Sequence, residues 1–395
     1  MTTEGASQES KDFSLLLGGP LYQLLIRVGL IRPPLRRVGA RILVIAGLAW
    51  LPLAVLTLLD GRFLGGVNVP FLRDFEVHAR LLVMLPLLIG AEVVIGPRMT
   101  GIIQQFLERK IVTDATRPRY QAILDSAVRL RNSIPVEVGL LLLVGVVGNF
   151  VWHQSMGLSQ DTWYETLSGK EITHTAAGRW YAFVSVPIVQ FILLRWYFRL
   201  FIWWRLLWQL SRVNLNLIPT HPDRSCGLGF LGGVVFAMAP FLMAHSFLLA
   251  GSLANRIVYD GQKLPDYKLE IVAVVLLLLV VTLGPISVFA PQLSRARLAG
   301  LRDYGRLASD YVLAFDRRWV SERPTLDEPL LGSADIQSLA DLANSYQVIQ
   351  GIRVVPFGRE TLGPLAAIIV VPLLPLGLTM FSFSELVRRL IGLVL

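Results

Sequence analysis

The sequence holds a single cysteine, Cys226, so no intrachain disulfide can staple the fold and no paired-cysteine metal site exists. Charge is scarce too. Only 16% of the 395 residues are Asp, Glu, Lys or Arg, and the mean hydropathy is +0.57, whereas soluble domains carry about a quarter charged residues. An ordinary soluble globule, a disordered chain and a collagen-like repeat are all excluded by that balance. Lysine is rare, since 32 of the 37 cations are arginine. No Walker loop, GxSxG elbow, HExxH helix or CxxC pair occurs, so the commonest signatures of nucleotide, acyl-transfer and metal chemistry are missing.

Long apolar runs are what the chain has instead. Seven stretches, at 42–59, 80–97, 138–155, 179–203, 228–250, 270–291 and 362–380, reach or approach the ~17–25 residues that a helix needs to cross a bilayer. In lipid only helices and closed barrels satisfy their own backbone, and runs this long are helical. The expected fold class is therefore all-α, a polytopic membrane helix bundle of about seven transmembrane helices. Two polar segments, 98–137 and 292–361, keep the 3-4 apolar spacing of packed helices. Tyr120, Ile123, Ala127 and Leu130 mark one stripe; Leu301, Tyr304, Ala308, Tyr311, Phe315 and Trp319 mark another; Ile336, Leu339, Ala343, Tyr346 and Ile349 mark a third. Both segments are predicted to be cytoplasmic helical hairpins. Residues 322–333 would be the loop of the second, with Ser333 as an N-cap.

The organisation that follows is a tail and amphipathic interfacial helix (1–41), spans one and two (42–97), a hairpin (98–137), spans three to six with a polar loop at 214–227 (138–291), a second hairpin (292–361), and span seven with a C-terminal interfacial helix (362–395). Spans two and six both end in Gly-Pro, at Gly96-Pro97 and Gly284-Pro285, and their order relative to the hairpins suggests a parallel internal repeat.

The net charge of +9 reports topology. The segments 1–41, 97–137, 195–226 and 292–361 hold 27 Lys and Arg, and the alternate segments hold 10. The positive-inside rule then sets the N-terminus in the cytoplasm and the C-terminus outside, with no need for a nucleic-acid partner. The first long apolar run starts too late for a cleavable signal peptide. In the tail, Leu21, Leu24, Leu25, Val28 and Ile31 would face lipid, while Arg27, Arg32, Arg36, Arg37 and Arg41 meet anionic headgroups at the cytoplasmic face. Trp152, Trp163, Tyr164, Trp180 and Tyr181 would form an outer aromatic belt, and Trp203, Trp204 and Trp208 an inner one.

Two features carry chemistry. Glu92 lies inside the second span, where a carboxylate costs about 2.5–3.5 kcal/mol on insertion scales and defaults to a functional role. Arg195 and Arg199, one turn apart in the fourth span, can reach it. The group is either a proton or ion relay or a salt bridge that fixes packing. The second feature is the loop before span five. His221, Asp223 and Arg224 suit a base, an orienting group and an anion clamp. Arg224 with the amides of Gly227 and Gly229 could bind an anion at a helix start. The alternative is a membrane-surface turn, stopped by Pro219 and Pro222 and capped by Asp223 or Ser225. His245 with Ser246, and Asn149 with His153, are candidates for interhelical hydrogen bonds or a polar lining. Arg195, Arg199 and Arg205 alternate with Trp196, Tyr197, Trp203 and Trp204, which favours snorkelling and cation–π contacts. No metal site and no cofactor are expected.

The stretches HPDRSCGLGFL (221–231) and LLGSADIQSLADLANSY (330–346) resemble a family of uncharacterised bacterial polytopic membrane proteins. The resemblance covers most of the chain after residue ~40. It implies a bacterial cytoplasmic (inner) membrane location and transfers no activity. Cys226 stands where a small residue, often Gly, is expected, which argues against a required thiol.

Three functions fit these readings. The favoured one is transport or conductance of an ion or small solute, with Glu92 on the path. The second is a scaffold or sensor binding a protein partner through 292–361. The third is an intramembrane enzyme on a lipid-like substrate, using His221, Asp223 and Arg224.

Overall fold

A run such as Val38–Leu59 is apolar on every face, so as a helix it is stable only where lipid or other helices cover all of its sides. A computed structural model describes residues 14–15, 18–27, 29, 37–155, 161–168, 171–321 and 334–380. The predicted C-terminal helix, the loop 322–333 with Ser333, and residues 1–13 lie outside these.

The described chain is helical almost throughout. In order come α1 (Pro20–Arg27), α2 (Val38–Leu59), α3 (Phe75–Glu108), α4 (Arg117–Arg131), α5 (Ile134–Ser155), α6 (Ala176–Leu210), α7 (Ala239–Tyr259), α8 (Leu264–Ser287), α9 (Ala290–Phe315), α10 (Ala334–Gln350) and α11 (Glu360–Gly377). Among the described residues six of these, α2, α3, α6, α7, α8 and α11, are long and apolar enough to cross a membrane. The chain is a multi-pass membrane protein of all-α class. Helix α5 is apolar as well, with its side chains described as far as Val146. The only strands described are Glu165–Ser168 and Glu171–His174, an antiparallel ribbon on the side of the bundle opposite the hairpins.

Side chains sort by face as lipid requires. In α2, Ala46, Ala49, Leu53 and Thr57 recur every three or four residues and are buried, while Leu43, Leu51, Leu58 and Leu59 are exposed. Proline within two spans frees a carbonyl four residues earlier, and each freed carbonyl has found a tryptophan. Pro52 releases Leu48 O, which accepts from Trp180 Nε1 at 3.3 Å. Pro285 releases Val281 O, which accepts from Trp204 Nε1 at 3.2 Å. A Cβ on Gly284 would lie 2.2 Å from the Trp204 ring, so the glycine makes room for the indole that caps the carbonyl its proline neighbour set free. The Gly284-Pro285 pair is thus a packing device.

The fifth span lies further along the chain than its hydropathy predicts. Glycines at 229, 232 and 233 give only a 3-10 turn (Gly229–Gly232) and one helical turn (Gly233–Ala237). Pro240 then starts α7 in its first turn, where a missing N–H costs nothing. Gly261, at φ 68°, ends it in the left-handed conformation.

Both hairpins form, with different surroundings. In the first, α3 runs on past Pro97 and α4 folds back against α6. Tyr120, Ile123, Leu124 and Ala127 are buried, and Tyr120 donates to Ile103 O at 2.6 Å. In the second, α9 and α10 pack on each other. Only Leu293 and Gly300 of α9 and Ile349 of α10 are buried, so the hairpin projects from the bundle.

Four of the residues expected in the aromatic belts lie inside the bundle instead. Trp163, Tyr164 and Tyr181 are buried, and they form an edge-to-face cluster with Phe71. Trp163 donates to Asp74 Oδ2 at 2.8 Å. Trp203 is buried as well, while Trp208 is half exposed beneath Arg212. For Trp163 the fixed acceptor at Asp74 outweighs tryptophan's preference for the interface.

Candidate functional site

Glu92 is sealed. Its Oε1 accepts from Arg199 Nη1 at 2.6 Å and its Oε2 from Arg41 Nη2 at 2.5 Å. Arg41 also donates to Ile89 O at 3.2 Å. Arg41 is only 4% exposed, so it does not meet lipid headgroups as the tail reading expected. It starts α2 one turn in, and the apolar helix carries it under the surface to the carboxylate. Of the two predicted partners Arg199 pairs with Glu92, and it also lies over the Trp196 ring. Arg195 turns instead to Glu137, at 3.6 Å, and to Gly18 O, at 3.5 Å. The adjoining cavity, lined by Arg195, Arg199, Glu137 and Arg131, holds about 20 Å³, room for a single water. The arrangement braces α2, α3 and α6 against one another.

The HPDR loop resolves into a turn that supplies its own anion. Asp223 accepts from the amides of Ser225 (2.8 Å), Gly227 (3.1 Å) and Gly229 (2.8 Å), and His221 Nδ1 lies 2.9 Å from its Oδ1. The Gly227 and Gly229 amides, predicted as an anion site, are thus already filled by the Asp223 carboxylate. Burial alone would raise the pKa of Asp223, but the three amides and His221 hold it below the usual carboxylate range. A Cβ on Gly229 would meet Asp223 Oδ2 at 2.9 Å, so the turn requires glycine there. Arg224 takes φ 51° and its carbonyl accepts from Arg353 N at 2.9 Å. Its side chain lies against Gly351. His221 and Asp223 converge, and Arg224 joins the loop to the foot of the second hairpin. Cys226 is buried in the left-handed region, at φ 54°, where glycine would rest without strain. Burial, with a smaller push from Asp223, raises its thiol to about 11.

Among the described residues the largest cavity is elsewhere. On the side opposite the hairpins, a space of about 550 Å³ lies between α3, α6 and α7. It is lined by Asp74, Glu76, Arg80, Tyr164, Tyr181, Gln190, Asn255 and Arg256, together with apolar groups such as Val186 and Leu193. A second space, about 330 Å³, lies deeper between α6, α7 and α8 and is lined by Tyr197, Phe241, His245, Leu249, Leu277 and Val281. The two share Glu76, Arg80, Leu248 and Ser252. They adjoin at these residues, and are described together as a groove with a polar end and an apolar end. From Asn255 to Phe241 it follows α7 over about 21 Å at 1.5 Å per residue.

Local sequence explains how this groove is held open. Asp74 caps α3 through Val77 N (3.1 Å) and accepts from Asn255 Nδ2 (2.8 Å), tying α3 to α7. Gly251 permits the close approach, since a Cβ there would lie 2.6 Å from Ala79 Cβ. Arg80 donates to Glu76 and to the Tyr181 hydroxyl. Arg80 sits in a π turn of α3 (Ala79–Met84) and Tyr181 in a π turn of α6 (Tyr181–Ser185). Such turns are rare and concentrate at functional sites. Gln190 Oε1 is buried with no hydrogen-bond partner, an acceptor left for something else. In the apolar end, His245 Nδ1 lies 2.8 Å from Phe241 O, so that nitrogen carries the proton and Nε2 accepts from the Tyr197 hydroxyl at 2.8 Å. His245 therefore makes the predicted interhelical bond and lines the groove. The side chains of Asn149 and His153 lie outside the described residues.

In the sequence Asp74 and Glu76 stand out only as a short acidic stretch, Asp74-Phe75-Glu76, before the second span. The available signal was the i,i+4 pair Glu76–Arg80 at a span mouth, matched by Asn255 inside an apolar run. No family model, no curated protein and no solved structure matches this chain.

Proposed function

We propose that this protein is a membrane transport protein for a small amphipathic solute, which it takes up through the groove beside Arg80. The observation that supports this is that a polar and an apolar cavity adjoin at Glu76, Arg80, Leu248 and Ser252. Their sizes fall in the range of small-molecule sites. The solute's head group carries an O–H or N–H donor, which meets the waiting Gln190 Oε1, and its tail lies along Phe241 and Leu277. The cation distribution supports an orientation with the hairpins in the cytoplasm, which opens the polar mouth to the outside, and the resemblance at 221–231 and 330–346 implies a bacterial inner membrane. Glu92 serves this protein as a brace. A second reading, a protein partner at 292–361, is favoured by the exposed Leu307, Val312 and Leu313 on the projecting hairpin.

The test uses dansyl-labelled dodecanol titrated into the purified protein in phosphatidylcholine nanodiscs. Saturable fluorescence is expected. Ser252→Trp, at the junction, should abolish it, and Gln190→Leu should weaken it up to about tenfold, the worth of one hydrogen bond. Unchanged binding in a folded Ser252→Trp protein would refute the reading.

A further inference from the structure

Helix α4 ends at Arg131 and α5 begins at Ile134, so polarity changes abruptly across Ser133. Helix α4 carries Arg117, Arg119, Arg129 and Arg131. On α5, by contrast, Ile134, Val138, Leu141 and Leu142 are exposed, an apolar surface suited to lipid. The same boundary is marked on α6. Phe201 is 56% exposed, and two turns on, Trp208 lies half exposed beneath Arg212, whose guanidinium is 5.3 Å from the ring. Tryptophan and snorkelling arginine collect at the level of lipid headgroups.

A recess of about 480 Å³ lies at this boundary, between α4 and α6. Ser126, Arg129, Leu130 and Ser133 line one wall, and Phe201 and Arg205 the other. Spacings of three and four put the first set on one face of α4 and its continuation, and Phe201 and Arg205 stand one turn apart on α6. Arg205 donates to Ser126 Oγ at 3.1 Å, which holds its guanidinium at the recess. Arg129 is exposed. Among the described residues neither arginine makes an ion pair, and no residue lining the recess is acidic. Of the acids nearest in the chain, Asp125 is exposed, and Glu137 faces Arg195 at 3.6 Å.

The recess therefore offers two guanidinium groups and two hydroxyls beside apolar side chains. Guanidinium donors match the several oxygens and the charge of a phosphate. Leu130 and Phe201 stand next to them, so the occupant has an apolar part as well. An ammonium headgroup would find no counter-charge in the lining, which favours a headgroup charged by its phosphate alone.

We infer that this recess binds one anionic phospholipid from the leaflet on the hairpin side, with its phosphodiester held by Arg129 and Arg205 and its chains beside Phe201. Ser126 and Ser133 supply further donors to the phosphate oxygens. The site is separate from the groove, which lies on the opposite side of the bundle.

The experiment uses the full chain in dodecylmaltoside, titrated with phosphatidylglycerol or with phosphatidylcholine of the same chains, and counts retained lipid by native mass spectrometry. Wild type should retain phosphatidylglycerol in preference. An arginine at an anionic lipid surface is worth about a fivefold change in affinity, so Arg129→Gln should lose about fivefold and Arg129→Gln with Arg205→Gln about 25-fold. Arg129→Lys, which keeps the charge and loses the planar fork, should keep part of the preference. The pair Arg302→Gln and Arg306→Gln removes the same charge from exposed positions on the projecting hairpin and should leave retention unchanged. Equal retention of the two lipids by wild type overturns the inference. So does a loss in the Arg302 and Arg306 pair as large as that in the Arg129 and Arg205 pair, which would mean attraction to the surface as a whole. If the Arg205 variant does not fold for want of its bond to Ser126, Arg129→Gln alone decides, and unchanged phosphatidylglycerol retention in it overturns the inference.

Discussion

Replacing Glu92 by Gln separates a brace from a relay. Each carboxylate oxygen holds one guanidinium, at 2.5 and 2.6 Å, and the side chains of Arg41, Glu92 and Arg199 are all at most 10% exposed. Removing the negative charge leaves two arginines facing each other with one amide oxygen between them. Breaking a buried pair by deleting one partner costs about 3–5 kcal/mol. A folded protein has only about 5–15 kcal/mol of total stability, so the change consumes from about a fifth to all of the margin. The assay is equilibrium unfolding in mixed dodecylmaltoside–SDS micelles followed by far-UV circular dichroism, with steady-state protein level as a second measure. The triple variant Arg41→Leu, Glu92→Leu, Arg199→Leu should regain most of the loss, because apolar replacement of a whole buried ion group is often neutral or stabilising. A Glu92→Gln protein as stable as wild type, yet unable to transport, would refute the brace and restore the relay.

The Asp223 turn should show in acid. Its carboxyl is held low in the folded state, so its contribution is present above the unfolded value of about 3.9 and is lost as pH falls from there through the folded value. Asp223→Asn should cost about 1.5–3 kcal/mol at neutral pH, and the variant's unfolding midpoint should vary less below pH 4. Cys226 should resist maleimide at pH 7.5 in the folded protein and react on denaturation, since it is buried and its thiol lies near 11. Gly284→Ala should destabilise by about 1–3 kcal/mol through overpacking, and Trp204→Leu in the same chain should relieve the clash while leaving Val281 O uncapped; thermal unfolding of the single and double variants checks both.

Composition and hydropathy sufficed for the fold class, because a span must be apolar over its whole length and the cost of violating that is large. The hairpins were legible for a related reason: 3-4 spacing persists where one face is buried. Boundaries were less legible. Gly232 and Gly233 read as part of an apolar run, yet they shorten α7 at its start, and only the Pro240 and Gly261 signals mark its true ends. The candidate residues divide in the same way. Glu92 and Arg199 were found because each is costly in a span. Arg41 was not, since a cation at the start of a span looks like any positive-inside residue until the helix ahead of it is placed. The groove was hardest to read. Glu76, Arg80, Tyr181, Gln190 and Ser252 come from three helices, and none is unusual in its own segment. Their meeting depends on the Asp74–Asn255 tie and on Gly251, which are tertiary facts.

A π turn is an α-helix carrying one residue too many. Ala79–Met84 and Tyr181–Ser185 are two such turns, and the Arg80–Tyr181 contact joins them. Deleting one residue from either turn would return it to α geometry. The helix beyond would then rotate by about 100° and shift by about 1.5 Å. Arg80 would lose Tyr181, and Asp74 would lose Asn255 or Trp163. The groove is thus one deletion away from closure on either wall. A lineage that no longer needed the solute would have a short mutational path to a plainer, more regular bundle, and the persistence of both extra residues in relatives would be a sequence-level record that the groove is in use.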